Sequence, residues 1–298
     1  MSITNDLKLN ALADLPPRSR RTFWFRFRRH KVALMGLIIL LLFTFGAVFA
    51  PWISVHDPNH GDLYQIKAPP NSSHWLGTDQ GGRDVLARIL IAGRVSLSVG
   101  LVAAGIATAI GTILGMVSGY AGGWIDNLLQ RFTELVMNFP TFFVIIILVT
   151  LVGPSIINIM VVIGVLGWTG KARLVRGQVL TLKELDYITA ARALGATGSR
   201  ILFIHILPGV LPYVAVSATL TVAGAILTEA SLSFLGFGVQ VPTATWGNMI
   251  NAAQHLFILQ DMPWIWIPPG MAIGMTVIAV NFLGDGLRDA LDPRSVTS

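Results

Sequence analysis

The residues able to do acid–base, nucleophilic or metal chemistry are few, and their spacing forms no catalytic constellation. The 298-residue chain has 15 Asp and Glu, six His and no Cys, so thiolate chemistry, disulfides and thiolate metal sites are absent. It has no G-x-x-x-x-G-K-[ST] phosphate loop, no H-E-x-x-H and no G-x-S-x-G. Nucleotide chemistry, where needed, falls to another chain. One polar group, His56, Asp57, His60 and Asp62, has metal-ligating types, but Pro58, Asn59 and Gly61 favour a turn over the helix that would align histidines four apart. Glu134 and Glu229 sit at the edges of apolar runs, where hydrated terminal carboxylates are expected. The remaining candidate is mechanical. Leu174 to Pro208 interrupts apolar sequence with charged and small residues, and Tyr187 to Leu194 reads as a short helix. Asp186 is placed as its N-cap and Gly195 as its C-cap, with Ile188, Ala191 and Leu194 as a narrow apolar stripe. Thr181 with Glu184 offers an alternative capping box one or two turns earlier. Ala190, Ala191, Ala193 and Gly195 would let another surface approach closely, and Arg192 adds a charge.

These residues must be positioned by membrane-spanning helices. The chain is 53% hydrophobic and 12% charged, with mean hydropathy +0.68, outside the balance of a soluble domain. A span needs about 20 apolar residues. Six runs qualify or come near: 32–50, 95–120, 135–152, 156–168, 207–228 and 265–284, none containing an ionisable group. The fourth is short, and length alone leaves a re-entrant segment open. With a cytoplasmic N-terminus the inside segments 1–31, 121–134, 169–206 and 285–298 hold eight, one, six and two Lys or Arg, against four outside, all in the first loop. This positive-inside bias keeps the fourth span. The order is a cytoplasmic arm (1–31), a first span (32–50), an extracytoplasmic loop (51–94), a five-helix core (95–284) with a cytoplasmic loop (169–206), and a cytoplasmic tail (285–298).

The net charge of +6 is explained by those cytoplasmic segments, so nucleic-acid binding is not expected. In the arm, Phe23, Trp24 and Phe27 share a helical face ringed by Arg21, Arg26, Arg28, Arg29 and Lys31, the pattern of a helix lying in the headgroup region; an unstructured basic anchor is the alternative. The 32–50 run is too long for a signal peptide and lacks a good cleavage site. Gly111 and Gly115, within a run that also has Gly100, Gly105 and Gly119, predict close helix packing rather than a pathway lining. Trp246, Trp264 and Trp266 are expected as interfacial anchors. Pro140, Pro208, Pro212, Pro268 and Pro269 are placed to kink spans or to end them. "GTDQGGRD" reads as a docking surface or a structured connector, with Arg83 and Asp84 placed to pair.

The loop also resembles the signature loop of importer-type ABC transporter permeases: Glu-Ala-Ala, Gly four residues after the second Ala, and Leu-Pro twelve residues beyond that Gly. Here the pattern falls on Thr189, Ala190, Ala191, Gly195, Leu207 and Pro208; Thr189 replaces the glutamate and His205 an isoleucine. "HWLGTDQGGRDVLARILIAGRVSL", "GYAGGWIDNLLQR", "LSFLGFGVQVPTATWGNMI" and "NFLGDGLRDALDPR" extend the resemblance to the C-type permease of dipeptide and oligopeptide importers over about residues 20–294. The resemblance implies an all-α, six-span importer permease fold in the inner (cytoplasmic) membrane, with both termini cytoplasmic. It further implies a homologous second permease, two ATP-binding subunits that hold ATP and Mg and dock on the loop (Asp186, Tyr187, Thr189 to Arg192, Gly195, Pro208), and an extracytoplasmic substrate-binding protein. No catalytic, cofactor or metal residue is implied in this chain. Nickel, glutathione or another small solute is the alternative cargo, and a self-sufficient channel or secondary carrier the alternative class.

Overall fold

The computed structural model describes residues 25 and 27–291. Most of the arm, including Arg21, Phe23, Trp24 and Arg26, lies outside them, as does 292–298. The described residues form an α-helical bundle joined by turns and short one-turn helices. Its principal helices are α1 (Lys31–Val48), α2 (Val85–Ala121), α3 (Gly123–Asn138), α4 (Thr141–Val152), α5 (Ile156–Leu166), α6 (Thr169–Leu182), α7 (Asp186–Ala193), α8 (Leu207–Phe234), α9 (Trp246–Ile250), α10 (Leu256–Asp261) and α11 (Pro263–Leu291).

Five helical segments are long and apolar enough to span a membrane: α1, α2, α5 with α6, the helix ending in α8, and α11. The bent pair α3 and α4 passes the same test taken together, which gives six if the pair is one span. The run 135–152 is therefore not one straight span. It breaks before Pro140, which cannot donate to the preceding turn, and the two helices meet at 83°. The weak fourth span gains its missing length beyond Trp168, because α6 continues to Leu182. At 1.5 Å per residue the combined segment is roughly 40 Å long, enough to cross the core. The exposed loop thus starts near Lys183, not at residue 169. The last helix likewise runs past Gly284 to Leu291.

The first helix docks on the last. Added to Gly36, a Cβ would lie 2.5 Å from the Ala279 carbonyl oxygen, so only glycine permits this approach. His30 caps α1 through Nδ1, which accepts from the Ala33 N–H at 3.1 Å, and its Nε2 pairs with Asp289 at 3.2 Å. Phe27 is buried against Ala33 and Ala290 and so is not available to an exposed apolar face.

The centre of the bundle is α2, and its C-terminal half bears out the glycine reading. Gly111, Gly115 and Gly119 face α6, where added Cβ atoms would lie 2.6 Å from Lys171 Cβ, 2.5 Å from the Ala172 carbonyl oxygen and 2.8 Å from Val179 Cβ. At 37 residues, α2 is roughly 55 Å long, well beyond the 30 Å hydrocarbon core, so residues 85–94 are a helical extension and not loop.

Candidate functional site

The stretch that interrupts the apolar sequence is held at the end of the bundle where α2 and α6 finish and α8 begins. Helix α7 covers Asp186–Ala193. Leu185, not Asp186, occupies the N-cap; its extended backbone carbonyl accepts from the Ile188 N–H at 2.9 Å, and no side chain caps the helix. Asp186 instead sits in the first turn, where a carboxylate complements the helix dipole. The Thr181 alternative does not form, since that residue lies inside α6 and donates its hydroxyl to the Gly177 carbonyl. At the other end the helix stops at Ala193 with Leu194 as C-cap, and Gly195 ends it from the next position. Gly195 has φ +83°, its N–H donates to the Arg192 carbonyl and the Ala196 N–H donates to the Ala191 carbonyl, both at 3.0 Å. These two bonds close a Schellman motif, which favours glycine at the left-handed residue.

One side chain anchors the helix. Ile188 is fully buried among Met116 of α2, Val175 and Val179 of α6, Ile201 and Ile206, and Val210 of α8. Only part of the expected apolar stripe packs: Ala191 is half-buried, while Leu194 is 88% exposed. Asp186, Tyr187, Thr189, Ala190, Arg192, Ala193 and Leu194 are all exposed, and no ion pair holds Arg192 among the described residues. Tyr187 reaches back, its hydroxyl donating to the His205 carbonyl at 3.4 Å. The result is a small-residue face with apolar Leu194 at its edge, mounted on a buried plug.

Towards the same end of α2 and α6 lies a polar clamp that the sequence reading missed. Arg176 of α6 donates from Nε and a terminal nitrogen to the two oxygens of Asp126 in α3, at 2.7 and 2.6 Å. The Ser118 hydroxyl of α2 also bonds Asp126, and Gln130 donates to Ser118 at 3.1 Å. Lys183 Nζ donates to the Gly119 carbonyl at 3.1 Å, satisfying a carbonyl at the end of α2. The residues are fifty apart in sequence, so no local pattern announces the pair. Between α7 and α8, residues Ile201–Ile206 take a π-helical turn, a loosened hydrogen-bond ladder often found where helices serve function. Pro208 is exposed at the start of α8, directly after the π turn; Pro212 lies inside that helix, and Pro268 and Pro269 inside α11.

The opposite end of the bundle corrects three expectations. Glu229 is not a hydrated edge carboxylate but fully buried, accepting from Ser233 at 2.7 Å and from Ser96 of α2 at 3.4 Å. The charge-free description of the apolar runs therefore stops one residue short of a buried carboxylate. Trp246 is not an interfacial anchor: it is 1% exposed, its backbone N–H donates to Ser96 Oγ at 3.2 Å, and its indole N–H donates to the Ile89 carbonyl at 3.0 Å. Trp264 and Trp266 are half-buried. Arg83 pairs with Asp79 at 3.0 Å, as does Arg88 at 3.3 Å, leaving Asp84 to cap α2 through the Ala87 N–H at 2.7 Å. Glu134 is exposed and pairs with Arg131, in keeping with a hydrated carboxylate. Asp57 and Asp62 each accept from the backbone N–H two residues on, at 2.8 Å, the Asx turns expected beside Pro58 and Gly61.

The described residues thus form a polytopic helical bundle that presents a short, small-residue helix anchored by one buried side chain. Comparison with known proteins identifies its kind. Residues 111–296 match the family described as binding-protein-dependent transport system inner membrane component, and residues 20–70 match the N-terminal TM domain of oligopeptide transport permease C. A protein of Brucella suis biovar 1 described as a peptide permease is 42% identical over 270 residues, 91% of this chain and 89% of that protein. The glutathione transport system permease protein GsiD of Shigella flexneri serotype 5b is 41% identical over 291 residues, 96% of this chain and 95% of its own. The corresponding protein of Escherichia coli O6:K15:H31 is 40% identical over the same length. The chain belongs to the family of binding-protein-dependent inner membrane permeases, the membrane subunits of ABC importers, and is a multi-pass membrane protein.

Proposed function

We propose that this chain is half of the translocation pathway of an ATP-driven importer of dipeptides or oligopeptides, and that α7 is the point at which the ATPase subunits act on it. The observation that carries the coupling role is Ile188. A load applied to the exposed face of α7 passes through this one buried side chain to α2, α6 and the start of α8. The Asp126–Arg176 clamp stiffens α3 and α6, and the π turn at 201–206 gives α8 a place to bend. The chain itself performs no catalysis and holds no cofactor. ATP and Mg belong to two cytoplasmic subunits, a homologous permease supplies the other half of the pathway, and an extracytoplasmic binding protein delivers cargo. Asp186, Tyr187, Thr189, Ala190, Ala191, Arg192, Gly195 and Pro208 form or flank the contact, with Thr189 unable to supply the charge of a glutamate. Both termini are cytoplasmic, the 51–84 connector and α9–α10 lie outside, and the coupling loop lies inside.

The peptide reading rests on the oligopeptide permease match at the N-terminus and on the Brucella relative. The GsiD relatives favour glutathione, itself a small peptide, as the second cargo. A decisive experiment places glutamate at Ala191 in the assembled transporter. Insertion and ATPase recovery should be unchanged while ATP hydrolysis no longer drives uptake; full uptake by the variant would refute the assignment. Solute movement by the isolated chain in ATP-free vesicles would favour a channel or carrier instead.

A further inference from the structure

We propose that His56 and His74, backed by Asp84, form a binding site for a divalent transition-metal cation on the connector before α2. The three residues are distant in sequence, yet each brings a ligand atom within 4.8 Å of the others. The rings of His56 and His74 lie tilted by 34° with centroids 4.6 Å apart. Hydrogen bonding fixes which nitrogen of each ring is free. His56 Nε2 lies 2.9 Å from the Ser73 carbonyl, which can only accept, so Nε2 carries the proton and Nδ1 the lone pair. His74 Nδ1 lies 2.8 Å from Asp84 Oδ2, which places the proton on Nδ1 and the lone pair on Nε2. Neither lone-pair nitrogen has a hydrogen-bond partner among the described residues.

This is the arrangement by which proteins prepare imidazole for a metal: one nitrogen donates to a carboxylate or carbonyl, which orients the ring and raises the basicity of the other. Asp84 is itself held, because its Oδ1 caps α2. Asp84 and His74 are buried, whereas His56 is half-buried and lines a cavity of about 300 Å³ with Pro51, Ser54, Asp57 and Ala87, through which a hydrated ion can enter. Two nitrogens on one Zn²⁺ sit roughly 3.3 Å apart, given Zn–N bonds of about 2.0–2.1 Å, so a bound ion would draw the two rings together, with water completing the shell. Two neutral imidazoles suit Zn²⁺, Ni²⁺ or Cu²⁺ and not Mg²⁺ or Ca²⁺. A bound ion would tie residues 54–58 to the turn at 73–74 and to the start of α2.

The test uses the complete chain in lipid nanodiscs, purified by a tag without histidine, with Zn²⁺ as the probe in equilibrium dialysis and metal analysis. One equivalent should bind, and Mg²⁺ should not displace it. His56→Gln and His74→Gln should each weaken binding at least about tenfold, and Asp84→Asn, which keeps the helix cap, about 10–100-fold. His60→Gln should change nothing. His56→Gln decides the matter because that ring is half-exposed and its loss leaves folding intact, verified by an unchanged melting curve. Absence of Zn²⁺ binding by the unaltered chain, or binding undiminished in folded His56→Gln, would overturn the proposal.

Discussion

The two ends of α2 are held by different forces. At its first end, hydrogen bonds between buried polar groups fasten the helix to a lid: Ser96 joins Glu229 to the backbone of Trp246, and Trp246 returns its indole N–H to Ile89. Towards its last end, three glycines bring α2 against α6 with almost no side chain between them, and the Asp126–Arg176 pair closes the contact at the rim. Hydrogen bonds fix direction and distance. Glycine faces fix closeness, because any added side chain meets the opposing helix. The first end is thus tied through buried polar groups, and the end that carries the exposed α7 through close backbone packing with an ion pair at its rim.

Substitutions at each end sharpen this contrast. The largest effect is expected from Gly115→Val, whose Cβ would enter within 2.5 Å of the Ala172 backbone oxygen. Backbone cannot move aside cheaply, so the cost should reach about 3 kcal/mol or more and the yield of folded transporter should collapse. Gly105→Ala is its control, with no neighbour within 4 Å, and should be neutral or slightly stabilising on the same thermal-unfolding assay. Next, Glu229→Ala should cost about 3 kcal/mol by leaving Ser96 and Ser233 without their acceptor and opening a cavity, with Gln restoring most of it. Asp126→Ala at the α7 end should cost less, about 2 kcal/mol, because Arg176 is partly exposed and can rehydrate. Equal losses at the two positions would remove the distinction drawn between the ends. The smallest effect belongs to Gly195→Ala. At φ +83° a Cβ costs about 1 kcal/mol, felt only in the loop, so melting should hardly change while the coupling of ATP hydrolysis to uptake falls.

Local chemistry made much of this legible. The glycine spacing on α2 announced its contact face, and Gly195 announced the end of α7, because each signal depends on residues within a turn or two of one another. Apolar runs marked the spans, but not where they stop. Hydropathy ends span four at Trp168, since Lys171, Arg173 and Arg176 lower the average, whereas the backbone continues to Leu182 because α2 offers a glycine face to pack on. Leu194 shows the converse: its place in the helical stripe suggested burial, and the fold leaves it in solvent.

By itself, the sequence determined a helical membrane subunit with no phosphate loop of its own, a short interrupted segment ending at a left-handed glycine, and the polar turn at 56–62. Those properties follow from composition and from contacts between near neighbours. Tertiary structure alone decided that Ile188 plugs the core, that Asp126 meets Arg176, that Glu229 and Trp246 are buried, and that His56 joins His74 and Asp84 while His60 does not. Each joins residues separated by many turns of chain, and burying a carboxylate or an indole N–H depends on partners that only the assembled fold delivers.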